Sequence, residues 1–120
     1  MTDQQARALV ALAEDAQHIG DSAAGIVRDT TTDLDPGKRI RSARRIRLLS
    51  LALVDHAVLT ELAAGASWET VARALSVDVE TARRRYQATW AEWQRDPVDL
   101  DQVAADAQVA DLWQQQWGTG

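Results

Sequence analysis

The sequence predicts an all-α protein of about five helices. Three observations favour this fold class. The chain has 120 residues of which 46% are hydrophobic, enough for one compact domain and too few for two ordinary ones. It contains only two prolines and six glycines among abundant Ala, Leu, Arg, Gln and Glu. Its apolar residues recur at spacings of three and four, which is the period of an amphipathic helix.

The composition excludes several classes of protein. Without cysteine the chain has neither a disulfide scaffold nor a thiolate metal site, and we expect it in a reducing cytoplasm. No apolar run approaches the roughly 20 residues that span a bilayer. The first residues lack the basic and apolar parts of a signal peptide, so we expect no membrane association.

The first helix is predicted over about residues 3–28. It carries a stripe that also fits more than two heptads of a coiled-coil seam. The stripe comprises Leu9, Leu12, Ala16, Ile19, Ala23 and Ile26. A loop over residues 29–37 follows, because its β-branched polar run and its Pro36-Gly37 pair oppose a helix.

A second helix is predicted from about Ile40 to Ala64. Six bases stand at its start, namely Lys38, Arg39, Arg41, Arg44, Arg45 and Arg47. The rest is apolar around so much of the circumference that we expect burial on more than one side. Gly65 is a natural end for this helix.

Three further helices complete the prediction. Ser67 caps a short helix, Trp68–Leu75, and Ser76 and Val77 form a break. Asp78 then caps a fourth helix that runs to about Gln94, with the apolar side Val79, Ala82, Tyr86, Trp90 and Trp93. Asp96-Pro97 ends it, and the last helix covers about Val98 to Trp117.

The charges divide the chain into three parts. The formal net charge of −5 is the balance of −5 over residues 1–37, +5 over 38–95 and −5 over 96–120. We interpret these as an acidic N-terminal helix with a linker, a basic unit, and an acidic C-terminal helix with a tail. Because recognition of a charged partner depends on the local sign, the overall acidity does not exclude nucleic acid.

Residues 62–86 have the pattern of a helix-turn-helix. This motif needs a short first helix, a tight turn, a small residue where the helices cross and apolar residues at the corner. Ala72 is the crossing residue, and the corner consists of Val71, Leu75, Val77 and Ala82. The basic middle, residues 38–95, is therefore predicted to be a three-helix unit whose second motif helix can enter a major groove.

The same stretch resembles the small helix-turn-helix proteins common in actinobacteria, and more distantly the DNA-binding end of sigma factors. The resemblance covers about residues 40–93 and rests on Gly65, Ser67, Trp68, Val71, Ala72, Leu75 and Val77. It implies DNA binding and transcriptional regulation. Two residues depart from the pattern. Ser76 replaces the usual glycine, so the turn is either strained or more αR-like, and Asp78 brings an anion near DNA phosphates.

Helical geometry separates the residues of the recognition helix, Val79–Gln94. With Val79, Ala82 and Tyr86 facing inward, the side chains able to reach bases are Glu80, Thr81, Arg83, Arg84 and Gln87. Arg pairs with guanine, Gln with adenine and Glu with cytosine, and Arg83 and Arg84 are the main candidates. Arg85 is assigned to a phosphate or to an acidic side chain.

The basic cluster at the start of the second helix is predicted to bind phosphates. Its candidate contacts are Lys38, Arg39, Arg41, Arg44 and Arg45. The alternative is a solvated helix face, or arginines paired with Asp33, Asp35 and the acidic flanks.

We also predict a homodimer, since one such unit reads few base pairs. Either apolar stripe, in 9–26 or in 98–117, provides a two-fold seam.

Two other functions remain open. The chain is alternatively a protein-interaction module that uses its acidic ends with Trp113 and Trp117. In a second alternative an acidic end covers the basic middle until a signal removes it.

No enzymatic chemistry is expected. His18 and His56 are isolated, so no metal or other cofactor is predicted. Glu14 and Asp15 fall on polar faces, and Ser67 is explained by capping.

Overall fold

The computed structural model describes residues 2–31 and 35–117, with side chains described as far as Gln108. It confirms an all-α fold with five α-helices in the described residues. The helices are α1 (Asp3–Arg28), α2 (Lys38–Ala63), α3 (Trp68–Leu75), α4 (Val79–Arg95) and α5 (Leu100–Trp117). A single 3₁₀ turn, Asp29–Thr31, follows α1.

Helices α1 and α2 pack side by side and antiparallel. Near the connection, Lys38 Nζ lies 3.5 Å from a carboxylate oxygen of Asp29. Farther along the pair, the carboxylate of Asp15 contacts the Nδ1 atom of His56. The Asp15 side chain is only 13% exposed, so the prediction that it lies on a polar face is wrong. Asp15 can lie on the face of α1 that is turned to α2 because His56 of α2 is its hydrogen-bonding partner.

The apolar stripe of α1 is used within the chain. Leu9, Leu12 and Ile19 are half-buried, and α1 contacts both α2 and the beginning of α5. Ile26, at the end of the stripe, is exposed. The stripe that was consistent with a coiled-coil seam therefore packs against helices of the same chain.

Helix α2 begins two residues before the predicted start. Gly37 adopts a left-handed conformation with φ +85°, and its carbonyl accepts a hydrogen bond of 2.9 Å from the Arg41 amide. At the other end, Gly65 has φ +95°. The amides of Gly65 and Ala66 donate to the carbonyls of Leu62 and Glu61, each at 3.0 Å, which is the Schellman arrangement expected for a glycine stop.

The expectation that α2 is covered on more than one side is wrong for its middle. Leu48, Leu51 and Val54 are 51%, 59% and 42% exposed. Only toward its C-terminal end does this face meet α3 and α4, through Val58 and Leu62.

The last connection differs slightly from its prediction. Helix α4 extends one residue further, to Arg95, before Asp96-Pro97. Helix α5 begins at Leu100 rather than Val98, because the Asp99 carboxylate accepts hydrogen bonds from the amides of Asp101 and Gln102, each at 3.1 Å. None of the described helices combines the length and the apolarity needed to cross a membrane.

Candidate nucleic-acid interface

The corner between α3 and α4 is built on small residues. Ala72 is 2% exposed and Ala82 is completely buried, so the two helices approach closely at this crossing. The buried residues of the surrounding core are Val58, Leu62, Val71, Ala72, Ala82 and Tyr86. Trp68, Leu75, Val77, Val79 and Trp90 pack against them and are partly buried. The corner therefore has the packing that its sequence pattern requires.

Ser76 sets the direction of the turn. Its φ and ψ of 59° and 40° lie in the left-handed region. The Val77 amide donates to the Ala72 carbonyl at 3.0 Å, and the Ser76 amide donates to the Arg73 carbonyl at 3.2 Å. This is again a Schellman arrangement, here without glycine. Of the two predicted forms of the turn, the strained form is present and the αR-like form is not.

Side-chain caps start both helices of the motif as predicted. Ser67 Oγ accepts a hydrogen bond of 3.1 Å from the Thr70 amide. Asp78 Oδ1 accepts one of 2.7 Å from the Thr81 amide. The hydrogen bonds with Thr81, together with the positive charge of Arg84, lower the pKa of Asp78. The N-terminus of α4 therefore keeps its anionic cap at neutral pH.

The predicted base-reading residues divide by exposure. Glu80, Arg84 and Gln87 are exposed and lie along one stripe of α4, at spacings of four and three. Thr81 and Arg83 are half-buried. Arg84 and Gln87 are therefore better placed than Arg83 to reach a ligand outside the domain.

Tyr86 joins α4 to α2. Its hydroxyl donates a hydrogen bond of 2.8 Å to Asp55 Oδ1. Burial, followed by this hydrogen bond and the negative charge of Asp55, raises the pKa of Tyr86 to about 12. The neighbouring Arg85, which is exposed, opposes part of this effect.

The predicted phosphate contacts at the start of α2 are all exposed, but three of them already have partners. Lys38 pairs with Asp29, Arg39 donates to the Asp29 carbonyl at 3.2 Å, and Arg41 donates to the Pro36 carbonyl at 3.4 Å. Within the described parts of the chain, Arg44 and Arg45 have neither a hydrogen bond nor an ion pair. Of the two predicted acidic partners, Asp33 lies outside the described residues.

The basic cluster is also distant from the α3–α4 corner. At a rise of about 1.5 Å per residue, Lys38 and Arg45 lie about 36 and 25 Å along α2 from Leu62 in the corner. Within one copy, this cluster therefore lies far along α2 from the corner that positions α4.

Sequence reasoning missed the contact that holds α1 against α4. The Arg7 guanidinium lies 3.7 Å above the ring of Trp93, and its Nη2 donates to the Trp93 carbonyl at 2.8 Å. His56 also contacts this ring, with the centroids 6.0 Å apart. Burial lowers the pKa of Arg7. No local pattern predicts this contact, since Arg7 and Trp93 belong to opposite ends of the chain.

The side chains of the other two tryptophans proposed for an interaction, Trp113 and Trp117, lie outside the described residues. Among the residues that are described, no cluster of three or more His, Asp or Glu is arranged to hold a metal ion. The pKa of Glu14 is raised, chiefly by burial and secondly by Asp106 of α5.

Comparisons of the chain with known protein families, with curated proteins and with solved structures found no match.

Proposed function

We propose that the protein binds double-stranded DNA sequence-specifically and regulates transcription in the cytoplasm of a bacterium. The observation that carries this proposal is the α3–α4 corner. Its close crossing at Ala72 and its left-handed turn at Ser76 leave the stripe Glu80, Arg84 and Gln87 exposed on the second helix. A helix presented in this way is the element that helix-turn-helix proteins insert into the major groove.

Each exposed residue of the stripe matches one kind of base. Arg84 has the paired donors that suit the two acceptors of guanine, and Gln87 has the donor and acceptor that suit adenine. Glu80 accepts from the cytosine amino group. The half-buried Thr81 and Arg83 lie beside the stripe and contribute at its edge, and Arg85 contacts a phosphate.

Phosphate contacts from the start of α2 supply the sequence-independent part of the affinity. The exposed bases Lys38, Arg39, Arg41, Arg44 and Arg45 are suited to this. Because one α4 reads only a few base pairs, we propose that the protein acts as a homodimer on two half-sites.

The experiment that tests DNA binding is an unbiased selection of duplexes by the intact protein, followed by affinity measurements on the selected site. We expect a two-fold symmetric site. Arg84→Ala should weaken binding about 10- to 100-fold and relax the preference at one base pair. Arg95→Ala is the matched control, since this exposed arginine stands at the far end of α4. The affinity of this variant for the selected duplex should stay within about 3-fold of wild type. Selection that enriches no sequence would overturn the proposal.

The dependence of binding on salt separates DNA binding from a protein-interaction role. Affinity for the selected duplex should fall steeply as salt rises, with a log–log slope close to the number of phosphates neutralised. Arg45→Ala should reduce that slope by about one while leaving the preferred sequence unchanged. Affinity that is insensitive to salt and to Arg84→Ala would favour the interaction module.

A further inference from the structure

We infer that the exposed face of α2 is a two-fold interface with a second copy of this chain, in which the two α2 helices lie antiparallel. This face, here called the α2 face, consists of Leu48, Leu51 and Val54. The proposal specifies how the dimer of the proposed function is built. Its test uses no DNA, so a failure of dimerisation and a failure of DNA binding are separate results.

The α2 face is apolar, continuous and open. Leu48, Leu51 and Val54 are 51%, 59% and 42% exposed, and they follow one another at spacings of three along a single helix. A row of large exposed hydrophobic side chains is unfavourable in water unless another surface covers it.

A groove continues the α2 face toward the helix-turn-helix. It has a volume of about 530 Å³ and lies between α2 and α3. Its apolar walls are Val54, Ala57, Val58, Val71, Ala74 and Leu75, with Glu61 and Thr70 beside them. Each copy thus carries an exposed leucine at one end of the face, Leu48, and an apolar groove at the other end.

An antiparallel pair matches these two ends. When Leu51 lies opposite Val54 of the partner subunit, Leu48 lies level with Ala57 of the partner subunit, at its groove. The two-fold axis passes between residues 52 and 53, so the second leucine enters the first groove in the same way. A surface that is complementary to itself under a two-fold rotation is the requirement for a closed dimer.

Charge selects the antiparallel direction. In this register Arg44 stands opposite Glu61 of the partner subunit. Both residues are exposed, and Arg44 has no partner among the described residues of its own chain. A parallel pair would instead place like charges together, Arg44 against Arg44, which is unfavourable.

The same register brings the basic cluster to the partner's helix-turn-helix. Lys38 lies about 6 Å past the end of the partner subunit's α2, the end that leads into α3, although it is about 36 Å from the corner of its own chain. This part of the inference rests on the proposed function. It explains how a cluster remote from one recognition helix can contact the DNA bound by another.

Sedimentation velocity at micromolar concentrations tests the interface. The wild-type protein should sediment as twice the 13.2 kDa chain. Leu51→Glu should raise the dimer dissociation constant by at least about 10-fold, because it places two carboxylates near the two-fold axis. Val27→Glu is the control, since Val27 is 74% exposed on α1 and outside the α2 face, and it should remain dimeric.

A charge exchange tests the direction of the pair. Arg44→Glu and Glu61→Arg should each weaken the dimer, and the double variant should restore it to within about 3-fold of wild type. Circular dichroism on every variant confirms that its helices are retained, so that a lost dimer is not an unfolded chain. A monomeric wild type, or a dimer unaffected by Leu51→Glu, would overturn the interface. Failure of the double variant to restore the dimer would overturn the antiparallel register.

Discussion

Ser76 combines a demanding backbone conformation with a side chain. Its φ of 59° places Cβ close to the following carbonyl, and a residue other than glycine pays about 1–2 kcal/mol for this. The two hydrogen bonds from Ser76 and Val77 to the last turn of α3 hold the conformation in place. The turn that aims α4 outward is therefore also a point of local strain.

Ser76→Gly should raise the free energy of unfolding by about 0.5–1 kcal/mol, since glycine adopts this conformation without a Cβ contact. The gain is smaller than the full strain because glycine also increases the freedom of the unfolded chain. Urea unfolding at neutral pH is the measurement. Ser76→Ala is the matched control and should change the free energy by less than about 0.5 kcal/mol, as it keeps the Cβ. A less stable Ser76→Gly variant would contradict this account.

Residue-scale features were predictable from the sequence where their chemistry is local. The caps at Ser67 and Asp78 need only an amide three residues ahead, so the type and position of the residue suffice. The contact of Asp15 with His56 was not predictable, because 41 residues separate the partners. The sequence contains no local pattern that indicates contact between an acid and a histidine on different helices.

Tyr86 is the polar link between two elements, α4 and α2. It is 4% exposed, and its hydroxyl donates to Asp55. In the folded protein its pKa is about 12, whereas an ordinary tyrosine titrates near 10. The pKa of Tyr86 is higher in the folded chain than in the unfolded chain, so the protonated phenol stabilises the fold. This contribution to the free energy of unfolding is complete below about pH 10 and is lost as the pH rises toward 12.

Tyr86→Phe should remove that alkaline loss. At about pH 9 the variant should be less stable than wild type by about 1 kcal/mol, since the hydrogen bond is absent. As the pH is raised above about 10, the wild-type free energy of unfolding should fall more steeply than that of the variant. Urea titrations between about pH 9 and pH 11.5 give both curves. Parallel curves would show that the phenol does not carry this dependence.

At the scale of the helices, the boundaries that the sequence predicts correctly are those marked by a capping residue or a glycine. The bounds of α3 and the glycine stop of α2 agree with the structure because Ser67 and Gly65 mark them. The predicted start of α2, Ile40, is two residues later than the observed one. The left-handed Gly37 lets the helix begin directly after it, and six bases near the N-terminus gave no reason to extend the helix.

At the scale of the whole molecule, periodicity predicts which face of a helix is apolar but not what covers it. The stripe of α1 was equally consistent with a dimer seam, and in the structure it packs on α2 and α5. The reverse holds for α2, whose apolar circumference predicted burial and whose middle is open. The division of the chain at residues 37 and 95 stays a prediction, as do the roles of the candidate DNA contacts.

A dimer held by the α2 face makes thermal stability depend on protein concentration. Diluting the wild-type protein about 100-fold should lower Tm by roughly 5 °C, because association stabilises only the folded chain. Leu51→Glu should melt at a lower temperature, and dilution should change that temperature less than it changes the wild-type Tm. Differential scanning fluorimetry across the dilution series measures both. A wild-type Tm independent of concentration would argue against a dimer at these concentrations.

The length of α2 has a consequence for the DNA that such a dimer could read. With residues 52 and 53 at the two-fold axis, Leu62 of the two copies lies about 29 Å apart along the paired helices. That separation of the two corners is close to the roughly 34 Å of one turn of B-form DNA, the spacing at which two recognition helices face the same side of a duplex. The length of α2 would then set the spacing of the two half-sites. Inserting one helical turn into α2 on each side of the two-fold axis would lengthen the half-site spacing that the dimer prefers.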